Sequence, residues 1–343
     1  LEGGLVYVAT QGGAFYALDA NTGQERWQVD IDGEIGSSLV ISRGVLYAGA
    51  SFFGTGDRQG GIIALDAQDG HELWRYTTAG ETATSPVLAG SRLIFGSDND
   101  KVYAVDTRVA EEIWTYDAGA PLDVAPVTAD GVVYTGDATG NLHALDAANG
   151  KLLWKLDAGK RERVLPLIYT TLTSAYAGGN KVYFANVLDG PVYAVDAATG
   201  NERWRFATTG LMTPVPTSQA SERDASIVTS PPAVSGNTLY VGVSFGPLGI
   251  PVPDRIGYLY ALDASTGTER WKVQTETQVV GRPIVQGDTV YYAANAGIIH
   301  AADTSTGRDR WRFEADGPVN ASLLLSEGTL YFGTFGGVFY ALR

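Results

Sequence analysis

"YALDANTGQERW", residues Tyr16 to Trp27, recurs in variant form along this 343-residue chain. An Asp stands eight residues before a Trp seven times: Asp19/Trp27, Asp66/Trp74, Asp106/Trp114, Asp146/Trp154, Asp196/Trp204, Asp263/Trp271 and Asp303/Trp311. These pairs use every tryptophan. An eighth copy, "GGVFYALR", reaches Arg343 where its Asp would fall. The shortest Trp-to-Trp step is 40 residues, as from Trp74 to Trp114, and the longer steps are the same unit with insertions. Self-similarity at a fixed period of this size marks a repeat architecture.

Each repeat reads as four strands, A to D. In the third, "TSPVLAG", "RLIFGS", "KVYAVD" and "EEIWTYD" are short β-branched or aromatic runs bounded by turn residues. Four strands per unit of about 40 residues predict an all-β, eight-bladed β-propeller, a single domain over residues 1–343. One position of strand B is always small, as at Ala9, Gly49, Gly96, Gly136, Ala185, Gly242, Ala293 and Gly333. The absence of bulk there lets another backbone or a large ring approach closely, and the tryptophan of strand D supplies such a ring. The opening stretch is then the C–D hairpin: Asp19 bonds backbone N–H groups across the turn, Gly23 supplies a positive φ, and Trp27 docks on a neighbouring unit. The same docking role falls to Trp74, Trp114, Trp154, Trp204, Trp271 and Trp311. The third repeat has Ala110 where the others have Gly, which predicts a turn of another type. Leu1–Gly4 aligns with the end of strand A and the A–B turn, so blade 1 lacks most of strand A and blade 8 lacks strand D. The expectation is that residues upstream of Leu1 close the ring.

Composition narrows the partners. Twenty-four basic against 38 acidic side chains give a net charge of −14, which disfavours nucleic acid or an anionic membrane as the primary partner. No apolar run approaches the roughly 18 residues of a membrane span. With no cysteine there is no disulfide, thiolate nucleophile or Cys-ligated metal. The three histidines form no metal or nucleophile–base motif; His143 and His300 replace the Tyr of "YALD" and read as packed spacers, and His71 falls in a C–D turn. "SDND" at Ser97–Asp100 lies on an ordinary B–C turn, and "KRER" at Lys160–Arg163 reads as a solvated loop.

The runs "VYAVDAATGNERW" (Val192–Trp204) and "LYALDASTGTERW" (Leu259–Trp271) resemble the repeat of the pyrroloquinoline quinone (PQQ)-type propellers across essentially the whole chain. The Gly-His and Trp-Asp pairs of WD40 repeats do not recur. The PQQ-type family includes quinoprotein alcohol dehydrogenases, the outer-membrane assembly lipoprotein BamB and extracytoplasmic sensor domains of some bacterial receptor kinases. Its enzymes carry adjacent cysteines beside the quinone and stack it on a tryptophan; here cysteine is absent and the tryptophans are taken by the repeat. The resemblance therefore implies a non-catalytic, monomeric, extracytoplasmic propeller without cofactor that binds another protein or senses a signal. The alternatives are a PQQ- and calcium-dependent dehydrogenase and a small-ligand sensor using the central channel.

Candidate sites come from breaks in the repeat. The major insertions favour the face carrying the D–A and B–C connections: "SFFGTGDRQGG" from Ser51, "TTGLMTPVPTSQASERDAS" from Thr208 and "SFGPLGIPVPDRIG" from Ser244. Phe52, Phe53, Phe245, Leu248 and Ile250 are expected to form apolar lips for a partner, against the plainer reading of drift after duplication. Strand A lines the channel. There Arg282, with Asp123 and Arg163, is either an anion or carbonyl site at the channel mouth or a rim ion pair with a solvated arginine.

Overall fold

A hairpin between neighbouring strands needs only a tight turn, and each repeat folds by hairpins alone. A computed structural model describes residues 1–52, 59–82, 84–122, 124–158, 172–187, 190–208, 224–247, 256–319 and 322–343. In the third repeat, Val87–Ala89 (A), Arg92–Gly96 (B), Lys101–Asp106 (C) and Glu112–Asp117 (D) pair antiparallel in chain order. Eight sheets, one per repeat, are the blades of an eight-bladed β-propeller, and no helix occurs among the described residues. The first sheet holds B, C and D (Leu5–Ala9, Ala14–Asp19, Glu25–Asp30), and the last holds A, B and C (Leu324–Ser326, Thr329–Gly333, Phe339–Leu342). The chain divides into two compact units: Leu1–Leu172 carries blades 1 to 4, and Thr173–Arg343 carries blades 5 to 8.

Strands B and C are apolar without alternation because both their faces are covered. Leu93, Ile94 and Phe95 are all fully buried, although successive side chains point to opposite faces. The core lies between blades. In the first unit, Phe15 of blade 1 packs with Ile35, Leu46 and Ile63 of blade 2; in the second, Tyr183 and Trp204 of blade 5 pack with Val241 and Tyr260 of blade 6.

The small position of strand B serves this stacking; of the two neighbours expected from the sequence it meets a backbone, as where a Cβ on Gly49 would lie 2.8 Å from Thr84 O, or an aliphatic side chain, and not the tryptophan ring. A Cβ on Gly96 would lie 2.6 Å from Leu122 Cβ, and one on Gly242 would lie 2.7 Å from Val279 Cβ. Both neighbours lie on the approach to or the start of strand A in the following blade. The tryptophans dock elsewhere. Their indole Nε1 donates to a carbonyl in the next blade's C–D turn: Trp27 to Ala67 (3.1 Å), Trp74 to Thr107 (3.1 Å) and Trp114 to Ala147 (3.2 Å) in the first unit. Trp204 to Ala264 (3.1 Å) and Trp271 to Thr304 (2.9 Å) repeat this in the second. Four of these rings, those of Trp27, Trp114, Trp204 and Trp271, cover the turn glycine: a Cβ on Gly70, Gly150, Gly267 or Gly307 would stand 2.8, 2.5, 2.6 or 2.6 Å from the ring. These glycines also hold positive φ, so two constraints select one residue type. Trp154 sits 5.8 Å from Tyr134 within blade 4, and Trp311, beside Tyr291, is 41% exposed.

Ala110 does not change the turn. Its φ is +57°, and its N–H donates to Asp106 O at 3.0 Å just as Gly70 donates to Asp66 O at 2.8 Å. The hairpin enforces the left-handed conformation on an alanine, at a cost of about 1–2 kcal/mol. Ala110→Gly should therefore stabilise the protein by up to about 1 kcal/mol after the larger unfolded-state entropy of glycine is allowed for. Trp204→Ala should cost about 3–5 kcal/mol and Trp311→Ala much less, read from denaturant melts. Equal costs at the two tryptophans would contradict the docking geometry.

Candidate functional site

The C–D turn shows how a strand irregularity places a functional side chain. In all seven complete C–D hairpins the residue before the tryptophan is a β-bulge: Ala104 pairs with Trp114 and Val105 with Glu112, which leaves Ile113 unpaired. A bulge re-aims the side chain it carries. In blades 1, 5, 6 and 7 that residue is an arginine, which turns back onto its own turn Asp: Arg26 on Asp19 (2.8 Å), Arg203 on Asp196, Arg270 on Asp263 (2.7 Å) and Arg310 on Asp303 (2.7 Å). The other oxygen of Asp19 accepts from the N–H groups of Asn21 and Thr22. The Arg26 guanidinium and these turn donors hold the Asp19 carboxyl down at about 2. Blades 2, 3 and 4 carry Leu73, Ile113 and Leu153 at the bulge instead.

The two long B–C hairpins absorb part of their insertions into strand. Strand B runs Val45–Phe52 in blade 2 and Thr238–Pro247 in blade 6, with Phe52 opposite Gln59 and Phe245 opposite Ile256. Alternation then turns both phenylalanines inward, and each is only 6% exposed. Phe52 packs with Ile35 and Ala50 beneath the Arg75 guanidinium, 4.2 Å away, and Phe245 meets the edge of Tyr258 at 5.6 Å. These two residues are core anchors and not lips. Phe53, Leu248 and Ile250 lie outside the described residues, as do Asp123 and Arg163 of the channel group.

Arg282 is described. Its strand, Val279–Gln286, breaks register between Val280 and Ile284, with Gly281 at φ +66°. The guanidinium donates from Nη2 to Ala175 O at 2.9 Å, and no carboxylate pairs with it among the described residues. Burial pushes its pKa down, against a small opposing effect of Tyr176.

The histidines are more than spacers. His143 and Asp137 are both fully buried, with Nε2 2.9 Å from Oδ2 and Nδ1 3.1 Å from the Tyr116 hydroxyl. Burial raises the Asp137 carboxyl, but hydrogen bonds from His143, Asn141 and Thr139 outweigh it and hold the group well below the ordinary carboxylate range. His300 lies between Glu276 (3.1 Å) and Asp309 (3.0 Å), stacked on Tyr292 at 4.7 Å. Both clusters fill strand C positions where a polar ring needs partners inside a blade. Asp66, Asp69 and His71 form the one group of metal-ligand type among the described residues. Their ligand atoms lie within 4.8 Å, but Asp69 and His71 face solvent and bond each other at 2.6 Å.

A family model described as outer membrane protein assembly factor BamB matches residues 1–89, 58–242 and 188–343. Serine/threonine-protein kinase AfsK of Streptomyces griseus is 31% identical over 120 residues, a stretch covering 33% of this chain and 12% of the kinase. The crystal structure of BamB from Moraxella catarrhalis superposes with a TM-score of 0.73 at 17% identity, covering 99% of this chain and 92% of that one. A quinohemoprotein alcohol dehydrogenase from Pseudomonas putida gives 0.73 at 14% identity, covering 96% and 68%. At such identities the structural likeness is one of fold.

The buried Asp137–His143 pair makes a stability prediction. Asp137→Ala should cost about 3–5 kcal/mol, because it strands a buried partner. Asp137→Asn keeps the shape, and the wild type's advantage over it should shrink as pH falls below about 4. A carboxyl held below its ordinary value contributes stability above that value and loses it on protonation. Thermal melts across the acid range check this, and an advantage that grows in acid would contradict the pairing.

Proposed function

The chain belongs to the PQQ-type propeller family described as outer membrane protein assembly factor BamB, and from that premise we propose that it is a non-catalytic scaffold of the cell envelope that binds another protein. The match along the whole chain to the family model carries this reading. The partial likeness to a serine/threonine-protein kinase supports a propeller used for contact or sensing. A quinone enzyme is disfavoured because a quinone needs a free aromatic floor. Trp27, Trp74, Trp114, Trp204 and Trp271 each turn their ring onto the next blade instead. The sequence also supplies no cysteine to stand beside a quinone.

A second reading, small-anion sensing, is favoured by Arg282, whose guanidinium keeps most of its donors unused among the described residues. A ligand that binds only the native state raises its melting temperature. Phosphate or acetate at constant ionic strength should then stabilise the wild type but not Arg282→Met. No shift in either would remove this reading.

For the scaffold itself, the intact propeller immobilised as bait should capture a partner from the native envelope fraction, and excess free propeller should displace it. Adding PQQ with calcium should produce neither dye-linked alcohol oxidation nor a change in melting temperature. A calcium-dependent shift of several degrees, or capture that free propeller does not compete, would contradict the proposal.

A further inference from the structure

Three repeat positions, polar elsewhere, carry five aliphatic residues in blades 2 to 4. The bulge residue is arginine in four blades but Leu73, Ile113 and Leu153 here. The residue before it is acidic in every other blade and Leu152 in blade 4, and the turn position held by Thr, Asp or Asn elsewhere is Val109 in blade 3. All five are exposed, at 41% for Leu73, 58% for Val109, 41% for Ile113, 40% for Leu152 and 48% for Leu153. They are linked by the blade junctions of the first unit. Trp74, next to Leu73, bonds Thr107, two residues before Val109; Trp114, next to Ile113, lies over Gly150, two residues before Leu152.

The same exchange leaves anionic seats empty. Asp66 and Asp146 cap their turns with Oδ1, bonding Gln68 N at 2.7 Å and Ala148 N at 2.8 Å. Their Oδ2 atoms take the position that holds the bulge arginine in other blades; no arginine reaches them among the described residues, and the nearest cationic group at Asp66 is the exposed His71, within 4.8 Å. Between Asp66 and Asp157 there are 15 acidic and six basic side chains, so the band sits in an acidic field. An exposed aliphatic band beside vacant carboxylates fits a partner that brings both missing components.

We propose that the outer band of Leu73, Val109, Ile113, Leu152 and Leu153 is the docking surface for a segment of another protein that carries aliphatic side chains interspersed with arginines, the arginines seating on Asp66 and Asp146. The inference rests on the scaffold reading and gives that scaffold a place of contact. A second copy of this chain is a poorer occupant, because its own bulge arginines are already bound to their aspartates and its charge of −14 repels a like molecule.

The test uses the whole chain and synthetic ten-residue peptides of alternating Arg-Leu, Arg-Ser and Glu-Leu, with binding read by fluorescence anisotropy. Arg-Leu should bind at least about tenfold tighter than either other peptide, and the triple variant Leu73→Arg, Ile113→Arg, Leu153→Arg should weaken it by about tenfold or more. That variant installs the pattern of blades 1, 5, 6 and 7, so it should fold and melt no lower than the wild type. A control adding the same charge in other turns, Gln24→Arg, Asn201→Arg, Thr268→Arg, should keep the wild-type affinity within about threefold. Equal binding of Arg-Leu to wild type and triple variant, equal loss in the control, or equal binding of Arg-Ser would overturn the proposal. So would self-association of the wild type, seen by sedimentation and lost in the triple variant, since a second copy would then be the occupant. With the native partner, capture by the wild type and equally by the triple variant overturns the band while the scaffold reading stands. If the wild type captures nothing, the scaffold reading fails, and the peptides still decide whether the band binds.

Discussion

The contact of a strand D tryptophan with the next blade's C–D turn is the interaction on which the described architecture rests. A blade has two apolar faces and cannot bury them alone, so its stability depends on stacking against neighbours. The tryptophan joins the stack by two kinds of force: its ring fills the space above the turn glycine, and its N–H fixes the ring to a turn carbonyl. The turn is itself shaped by the Asp, whose carboxylate bonds backbone N–H groups as at Asp19 and Asp263. Asp, Gly and Trp are thus parts of one joint. Their fixed spacing in the sequence reflects a fixed geometry in the hairpin.

Within that joint the bulge is the free variable. It lies beside the tryptophan but has no opposite residue in the register, so its side chain can change without disturbing the stack. Arginine there stays local, bound to its own turn. Leucine in blades 2 and 4 leaves the turn carboxylate without an arginine, isoleucine in blade 3 leaves Asp106 to Arg108, and all three put an apolar surface in solvent in consecutive blades. Surface positions that a repeat tolerates in either chemistry are where a scaffold can acquire a partner without loss of fold.

Much of the fold was legible in the sequence, because period, strand count and turn residues follow from backbone geometry that each repeat must satisfy. The strands of the third blade fall inside the runs that predict them, three of them within one residue at either end and strand A starting three residues in. Packing partners were less legible. The small residue of strand B clears space for residues of the next blade's strand A region, such as Leu122, which no local pattern reveals. Ala110 suggests a different turn by residue type alone, but the hairpin imposes positive φ on whatever residue stands there. Phe52 and Phe245 read as exposed lips because their insertions look like loops in the sequence; the strands extend through them, and alternation turns both side chains inward. His143 and His300 found carboxylates that are distant from the "YALD" frame in which they were read. The residue before each tryptophan was visible throughout. Its change from Arg to Leu or Ile carries meaning only once the bulge shows where the side chain points.

Hydrogen exchange at the indole N–H groups, followed by NMR, tests the joint most directly. A donor bonded inside a blade junction exchanges only when that junction opens, whereas a solvent-facing one exchanges freely. The account predicts strong protection of Trp114 and Trp204, protection of Trp27, Trp74 and Trp271, and fast exchange at Trp311. Fast exchange at Trp114 and Trp204, or protection of Trp311 equal to theirs, would contradict it.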